Sequence, residues 1–402
     1  MITNTVLESI ILQLLRFSIP DLYDTLANAI DNKEYTMCVF IDLSKAFDTV
    51  NHDILLAKLQ HYGTRGTPLK WFESYLSGRE QFVNFNGYCS SYKLVKCGVP
   101  QGSVLGPLLF LIYINDICNV SSALDILLFV DDTSIFFSHK VLDSLCLTVN
   151  NELVKLTDWF FENKLSINIK KSNYIIFRPR QKKQTFDIKV TLSNRDIIQV
   201  KETVFLGVIL DEHLTWIPHI TNVARKVSKT VGVMYKASFC LSKRSLITLY
   251  YSLLYPYLQY CVGVWGSTYL SNLNRIFMLQ KRAVRIIAKE SFDAHTDPIF
   301  KNLKILKFNC IYLFQLGKLM FQFKNGLLPR TFDSKFALNS QVHNYNTRNS
   351  KLFHIPKIRT NICKFSLRYQ GPRFYNSLSS DIQSARTMTS FVNGLKTSLI
   401  DF

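Results

Sequence analysis

The sequence lacks the signatures of a small secreted or zinc-bound domain. Its nine cysteines include no C-x-x-C pair, which argues against a disulfide framework or a zinc site. Residues 1–8 lack the basic segment that begins a signal peptide. At 48% hydrophobic and 19% charged residues, the 402-residue chain is too apolar to be disordered. These features predict a globular protein of a reducing compartment.

Long apolar runs of the kind that cross a membrane are also missing. Residues 245–274 carry no charge, but Pro256, Gln259 and tyrosines throughout interrupt the apolar pattern. A membrane span needs about 20 predominantly apolar residues. This stretch is therefore predicted to be a buried, tyrosine-rich helical segment, and no membrane span is expected.

Acidic residues are scarce in the second part of the chain. Residues 1–150 contain 10 basic and 15 acidic side chains, a net charge of −5, whereas residues 151–402 contain 38 basic and 14 acidic ones, a net charge of +24. Such an excess indicates a polyanionic partner. Nucleic acid is the leading candidate, and an anionic membrane surface is the alternative.

Acidic residues stand where two apolar strands are predicted to end. The run 37–41 stops at Asp42, and residues 126–137 predict a strand, a turn at Asp131 and Asp132, and a second strand. Taken alone, Asp-Asp is more often an ordinary turn. If the strands are neighbours, however, the three carboxylates should come within metal-binding distance, and Mg²⁺ prefers carboxylate oxygens together with substrate phosphates.

Three segments then carry a resemblance to a known family. FIDLSKAFD (40–48), GVPQGSVLGP (98–107) and FVDD (129–132) resemble motifs A, B and C of reverse transcriptases, in particular the jockey-type polymerases of non-LTR retrotransposons. Downstream, NKLSINIKKS (163–172) resembles motif D, FLGV (205–208) motif E, and LQKRAVR (279–285) the basic helix that follows the polymerase core. The resemblance implies an RNA-directed DNA polymerase located in the nucleus or cytoplasm.

The implied fold is of the α+β class, a polymerase palm with a small antiparallel sheet backed by helices. The predicted domains are the palm with incomplete fingers over residues 1–211, a helical basic thumb over 212–300 and a basic C-terminal region over 301–402. Within the palm domain, residues 203–210 are expected to form one strand.

The resemblance also implies roles for individual residues. Asp42 and Asp131 would bind two catalytic Mg²⁺ ions, with Mn²⁺ as an alternative, helped by the Leu43 carbonyl and with Asp132 alongside. Residues expected to contact the deoxynucleoside triphosphate are Ser44, Lys45, Ala46, Phe47, Gln101, Gly102 and Lys171. Phe47 would be the aromatic gate against a ribose 2′-hydroxyl; without the resemblance, the simpler interpretation is a core phenylalanine. For Lys171 the simpler interpretation is a solvated surface lysine.

The RNA or DNA template-primer is expected to contact the basic second part of the chain. The implied primer grip consists of Phe205, Leu206 and Gly207. The basic residues expected to face nucleic acid are Arg178, Arg180, Arg225, Lys226, Lys229, Lys281, Arg282 and Arg285. Runs of this kind are more often solvated helix faces, but the surplus of charge favours phosphate contacts.

The sequence departs from the family in two places. Only 41 residues precede Asp42, and Arg16 and Lys33 are their only basic members, which predicts an N-terminally truncated chain whose unaided activity is poor. Val130 stands where the family has Ala, and little harm is expected because a β-branched residue suits a strand.

Two alternative functions stay open. One is a non-catalytic RNA- or DNA-binding remnant of such a polymerase. The other is a different two-metal enzyme on a palm-like sheet, such as a nucleotide cyclase, against which the segment 98–107 and the basic helices argue.

Overall fold

The computed structural model describes residues 19–182, 188–329, 332–342 and 349–401, and the chain divides into two compact units. In the described residues, the first unit contains 33–201 and the second contains 19–32 together with 202–401. The predicted end of the palm at residue 211 lies ten residues beyond this division, because residues 202–211 group with the second unit.

A five-stranded sheet forms the centre of the first unit. In chain order the strands of this unit are β1 Tyr35–Ile41, β2 Glu80–Gln81, β3 Asn84–Phe85, β4 Tyr88–Cys89, β5 Lys93–Leu94, β6 Asp125–Phe129, β7 Asp132–His139, β8 Asn173–Phe177, β9 Thr191–Leu192, β10 Arg195–Asp196 and β11 Ile198–Gln199. The sheet has the order β11-β8-β1-β7-β6, and only the β11–β8 pair is parallel. The strand β1 is central and apolar, so it is buried along most of its length.

Helices cover this sheet and complete the core of the first unit. They are α2 His52–His61, α3 Thr67–Leu76, α4 Leu105–Ile114 and α5 Leu142–Glu162, with 3₁₀ turns at Ala46–Asp48 and Asn115–Asn119. The helix α5 packs on the sheet through apolar residues at helical spacing, among them Leu145, Val149 and Leu153. This arrangement confirms the predicted α+β class with a small, mainly antiparallel sheet backed by helices.

The second unit is mostly helical. It contains α1 (residues 19–31), the hairpin of β12 Glu202–Phe205 and β13 Val208–Asp211, and the helices α6 Ile217–Ala237, α7 Lys243–Leu249, α8 Tyr255–Gln259, α9 Val262–Trp265, α10 Leu270–Ala288, α11 Thr296–Leu303, α12 Phe308–Lys324, α13 Asn339–Val342, α14 Asn361–Lys364, α15 Leu367–Asn376, α16 Ser380–Gln383 and α17 Met388–Asp401. A π-helical turn, Tyr250–Leu254, joins α7 to α8. The predicted tyrosine-rich segment is mostly helical, but it is only partly buried, because Tyr250 is fully buried whereas Tyr251, Tyr257 and Tyr260 are exposed. No helix in the described ranges is long and apolar enough to cross a membrane.

Two local expectations are wrong. The single strand predicted over residues 203–210 is the β12–β13 hairpin, whose turn places Leu206 and Gly207 at φ of 48° and 78°. Val130 is not in a strand but in the two-residue loop between β6 and β7, at φ 55°. Such loops need a positive φ at their first residue, and that conformation costs a β-branched side chain about 1–3 kcal/mol. The exchange of Ala for Val therefore adds strain at this turn.

Candidate active site

Asp42 lies at the end of β1 and is held by a distant segment of the chain. Its N–H donates to the Ser172 hydroxyl at 3.2 Å, and its carbonyl accepts from the Asn168 N–H at 2.8 Å. The Asn168 side-chain amide donates to the Asp42 carboxylate at 2.9 Å. Backbone and side chain of Asp42 are thus both fixed, while a third of the side chain stays open to solvent.

Asn168 and Ser172 are therefore positioning residues that the sequence prediction missed. The Ser172 hydroxyl also donates to the Asn168 carbonyl at 2.9 Å, which closes a small network beneath Asp42. Both residues lie in the predicted motif D segment, where only Lys171 had an expected role. Their pairing with residue 42 joins parts of the chain that are 126 residues apart.

The β6–β7 hairpin brings Asp131 and Asp132 to the same end of the sheet. The register pairs Ile41, the last residue of β1, with Thr133, so Asp42 and Asp132 directly follow and precede this pair at the same end of the sheet. Although Asp132 is exposed as a residue, crowding of its carboxyl by protein raises its pKa, and the negative charges of Asp131 and Asp42 raise it further. Asp131 and Asp42 therefore lie close enough to Asp132 to affect its ionisation.

The stronger expectation, three carboxylates at metal-binding distance, is not met. Within the described residues, no three or more His, Cys, Asp or Glu side chains form a ready-made metal site. Asp131 lies in the loop between β6 and β7, whereas Asp132 is the first residue of β7, so the two side chains leave different parts of the hairpin. The carboxylates of Asp42, Asp131 and Asp132 still suit Mg²⁺. This ion commonly binds one or two carboxylates and completes its coordination shell with water and substrate phosphates.

The segment after Asp42 turns sharply away from the sheet. Leu43 forms an isolated bridge with Ile167, and the Ser44 N–H donates to the Ser166 carbonyl at 2.8 Å. The Ser44 amide is therefore already engaged, contrary to its expected role as a phosphate donor. Lys45 is exposed at φ 50° and precedes the 3₁₀ turn in which Ala46 is buried.

Phe47 is partly buried against the core of the first unit. Its ring lies 4.8 Å from the ring of Phe110 in α4, at an interplanar angle of 35°. One side of the ring is thus fixed by packing while part of the residue stays accessible. Phe47 packs against the core, as a core phenylalanine would. It also stands five residues after Asp42, the position from which the aromatic-gate role was predicted.

The loop 98–107 is attached directly to this turn. The Gly98 N–H donates to the Val50 carbonyl and the Val99 N–H to the Phe47 carbonyl, both at 2.8 Å. The Gln101 side-chain amide donates to the carboxylate of Asp48 at 2.7 Å. Gln101 and the neighbouring Gly102 are exposed, so the predicted nucleotide residues of this loop are brought beside Lys45.

Gly98 allows the close approach of these two segments, and we predict a measurable cost for replacing it. It has φ +89°, and a Cβ there would lie 2.8 Å from the Asp48 carbonyl oxygen. Gly98→Ala should lower the free energy of unfolding by about 2–3 kcal/mol in urea titrations, from strain plus the clash. Gly63→Ala is the matched control, since Gly63 has φ +96° with nothing within 4 Å of the added carbon. Equal losses in the two variants would contradict a role for the close approach.

A cavity of about 650 Å³ opens beside Lys45 and Gln101. Its lining includes two further basic residues, Arg79 and Lys96, which the sequence prediction missed. None of these three cations forms an ion pair with a carboxylate among the described residues. The lining also includes Asp48 and Glu80, so three basic residues against two acidic ones give the cavity a small positive excess next to the predicted nucleotide residues.

Lys171 forms a long ion pair with Asp42. Its ammonium nitrogen is 3.8 Å from the Asp42 carboxylate, and its side chain is 72% exposed. An ion pair this exposed contributes little to stability. The Lys171 side chain can therefore leave the Asp42 carboxylate and bind a phosphate at a small cost in free energy.

The predicted primer grip forms the turn of the β12–β13 hairpin in the second unit. Phe205 is buried, and the Tyr260 hydroxyl donates to the Leu206 carbonyl at 2.5 Å. Carbon atoms of the Tyr260 ring approach the position of a Gly207 Cβ to 3.5 Å. The turn is thus tied to the residue that follows α8.

The predicted nucleic-acid contacts divide into exposed and engaged residues. Those on α6 and Arg282 on α10 are exposed, and these two helices pack against each other. Arg285 instead donates to the Ala294 carbonyl at 2.8 Å, and Arg178 donates to the Lys182 carbonyl at 2.7 Å. Arg285 and Arg178 therefore have structural partners. The exposed residues are Arg180, Arg225, Lys226, Lys229 and Arg282, while Lys281 is half-buried above the Phe277 ring.

Comparison with known proteins adds an independent finding. Residues 1–210 match the family described as reverse transcriptase (RNA-dependent DNA polymerase). Of the matched residues, 1–18 lie outside the described structure.

Curated relatives give the same result. The chain is 31% identical over 292 residues to the RNA-directed DNA polymerase from mobile element jockey of Drosophila melanogaster, which covers 69% of this chain and 31% of that protein. It is 28% identical over 292 residues to the probable RNA-directed DNA polymerase from transposon X-element of the same species, covering 70% of this chain and 31% of that protein. The chain thus spans about a third of the length of these relatives. Among solved structures, apo telomerase from Candida tropicalis matches with a TM-score of 0.39 and 13% identity, over 73% of this chain and 50% of that one.

Proposed function

We propose, from the premise that this chain belongs to the reverse transcriptase (RNA-dependent DNA polymerase) family, that it adds deoxynucleotides to a primer 3′-hydroxyl by copying an RNA or DNA template. The resemblance found in the sequence is confirmed at the level of the family. The observation that supports the activity is that Asp42, Asp131 and Asp132 lie at the same end of the sheet, where Asp131 and Asp42 raise the pKa of Asp132.

The metal-binding role is assigned to the carboxylates of Asp42 and Asp131 and the carbonyl of Leu43, with Asp132 alongside. Two Mg²⁺ ions held there would activate the primer hydroxyl and stabilise the leaving pyrophosphate oxygen. Asn168 and Ser172 orient Asp42 for this role through the hydrogen bonds that fix its backbone and side chain. The raised pKa of Asp132 fits a site built to accept positive charge.

The incoming deoxynucleotide is assigned to the cavity beside this site. Lys45 and Gln101 border the cavity, and Arg79 and Lys96 add positive charge for phosphate oxygens. Lys171 can reach a phosphate from the side of Asp42. Phe47, fixed against Phe110, can present the flat face that excludes a 2′-hydroxyl.

The template-primer duplex is assigned to the basic helices of the second unit, with Phe205, Leu206 and Gly207 as primer grip. The exposed residues of α6 and Arg282 of α10 supply side chains for phosphate contacts. Because such contacts release counterions, the affinity should fall steeply as salt rises.

Primer extension by the purified chain tests the proposal. A DNA primer annealed to an RNA template should be extended in a template-directed way in the presence of Mg²⁺, and Asp131→Asn should abolish the extension. Robust synthesis unaffected by Asp131→Asn would overturn the metal assignment. Tight, salt-sensitive binding of the template-primer without any incorporation would favour the alternative, a non-catalytic nucleic-acid-binding protein.

A further inference from the structure

An exposed ribbon stands between the Asp42 segment and the loop 98–107. It consists of residues 80–94, in which β2 pairs with β5 and β3 pairs with β4, and we call it the aromatic ribbon. Every one of its residues is exposed. A two-stranded ribbon with no buried face is only marginally stable in water. Binding a partner would stabilise this one by covering its exposed side chains.

The exposed side chains of the aromatic ribbon are unusually large and aromatic. Tyr88 is 83% exposed and Phe85 is 72% exposed, while Phe82 and Tyr92 form a pair with ring centroids 4.8 Å apart. Exposed apolar groups scattered singly need no explanation, but a contiguous set marks an interaction site. The role assigned above to the active site uses none of these rings.

The tip of the aromatic ribbon has a defined geometry. Phe85 and Tyr88 are direct cross-strand partners, so their side chains lie on the same face. The connecting residues Asn86 and Gly87 have φ of 49° and 85°, the conformation that an Asn-Gly hairpin turn requires. Two rings are therefore presented side by side on a tight turn.

The charges around the aromatic ribbon are mainly positive. Between residues 79 and 96, Arg79, Lys93 and Lys96 are basic and Glu80 is the single acidic residue. Arg79, Lys96 and the ribbon residues Glu80, Gln81 and Leu94 also line the cavity that Lys45 and Gln101 border. The aromatic ribbon is thus continuous with the predicted nucleotide site.

We infer that the aromatic ribbon binds an unpaired nucleic-acid strand, with bases stacked on Phe85 and Tyr88 and phosphates facing Lys93 and Lys96. Aromatic rings on a basic surface are what sequence-tolerant binding of single strands uses, because every base has a face that can stack. A protein partner would be favoured by apolar residues without flanking cations, which is not the composition here. The assignment of the strand as template ahead of the cavity rests on the proposed function.

The test measures binding without catalysis. Fluorescence anisotropy of the full chain with a short, labelled, unstructured RNA in EDTA should show that Tyr88→Ala and Phe85→Ala each raise Kd about tenfold, since one stacked base is worth about that factor. Tyr88→Trp should retain the wild-type Kd because the ring remains. Phe161→Ala is the matched control, since Phe161 in α5 is 84% exposed and should leave Kd unchanged.

Each outcome separates this inference from the proposed function. Unchanged Kd in both alanine variants overturns the inference, even if primer extension succeeds. Altered sedimentation of the variants with unchanged Kd would make the aromatic ribbon a contact between protein copies and also overturns it. Raised Kd in a chain that extends no primer leaves the strand-binding surface standing while the polymerase proposal falls.

Discussion

Replacing Asp42 by Asn is expected to reduce nucleotide incorporation by at least about a thousandfold, since a metal-held carboxylate contributes several kcal/mol to the transition state. The fold should persist, because the hydrogen bonds of Asp42 to Ser172 and Asn168 through its backbone do not depend on the side-chain charge. The amide oxygen of the new residue can also accept from Asn168 as the carboxylate does. Single-nucleotide incorporation under saturating template-primer measures the loss.

Asp125→Asn is the control for this variant. Asp125 is exposed at the start of β6, on the same hairpin as Asp131 but at the other end of the strand. It should leave incorporation and the urea midpoint unchanged. Incorporation that survives in Asp42→Asn, with the fold intact by circular dichroism, would remove Asp42 from the reaction.

A second large effect is expected from Asp24, a residue of the second unit that has no role in the proposed reaction. This residue of α1 is 6% exposed, and one of its carboxylate oxygens has no partner among the described residues. Burial raises the pKa of Asp24 to about 7, and the positive charge of Lys335 offsets this only in part. The folded second unit therefore favours the protonated acid.

The sign of the resulting pH dependence follows from linkage. Below the unfolded pKa near 4, Asp24 is protonated in both states and has no effect; as pH rises from about 4 to 7, only the unfolded chain releases the proton freely, and stability falls. A difference of three pKa units corresponds to about 4 kcal/mol. His219 acts in the opposite direction, since burial lowers its pKa to about 4 and the folded state loses stability as pH falls from about 6.5.

Asp24→Asn isolates the contribution of this one residue. The difference in unfolding free energy between variant and wild type should grow by about 3–4 kcal/mol in favour of the variant between pH 4 and pH 7. Because His219 is present in both proteins, its effect cancels in the difference. Urea titrations at several pH values measure it, with Asp381→Asn, an exposed residue of α16, as control. A difference that stays constant with pH would show that Asp24 ionises normally.

The parts of the fold that the sequence predicted well are those with a local signal. The apolar run that stops at Asp42 located β1, and the pattern of residues 126–137 located the β6–β7 hairpin. The uncharged, tyrosine-rich stretch 245–274 was predicted to be helical, and most of it is. Each of these depends on neighbours within a few residues, which the sequence displays directly.

The parts that it predicted poorly depend on distant contacts or on backbone angles. The network of Asn168 and Ser172 around Asp42 needs the pairing of segments that are far apart in the chain. Arg79 and Lys96 line the same cavity because β2 pairs with β5 and so brings the two ends of this segment together. Val130 and Leu206 adopt positive φ values that their side chains disfavour, so their residue types did not predict the turns in which they lie.

The hydrogen bonds between Asn168 and Asp42 determine when, during synthesis of the chain, the Asp42 carboxylate can be oriented. Because 126 residues separate the two partners, a ribosome that adds about 5–20 residues per second needs roughly 6–25 s after making Asp42 to supply its support. During that interval the carboxylate exists without its orienting hydrogen bonds. If Asp42 serves the proposed reaction, a nascent chain lacks these orienting hydrogen bonds until synthesis has passed residue 172.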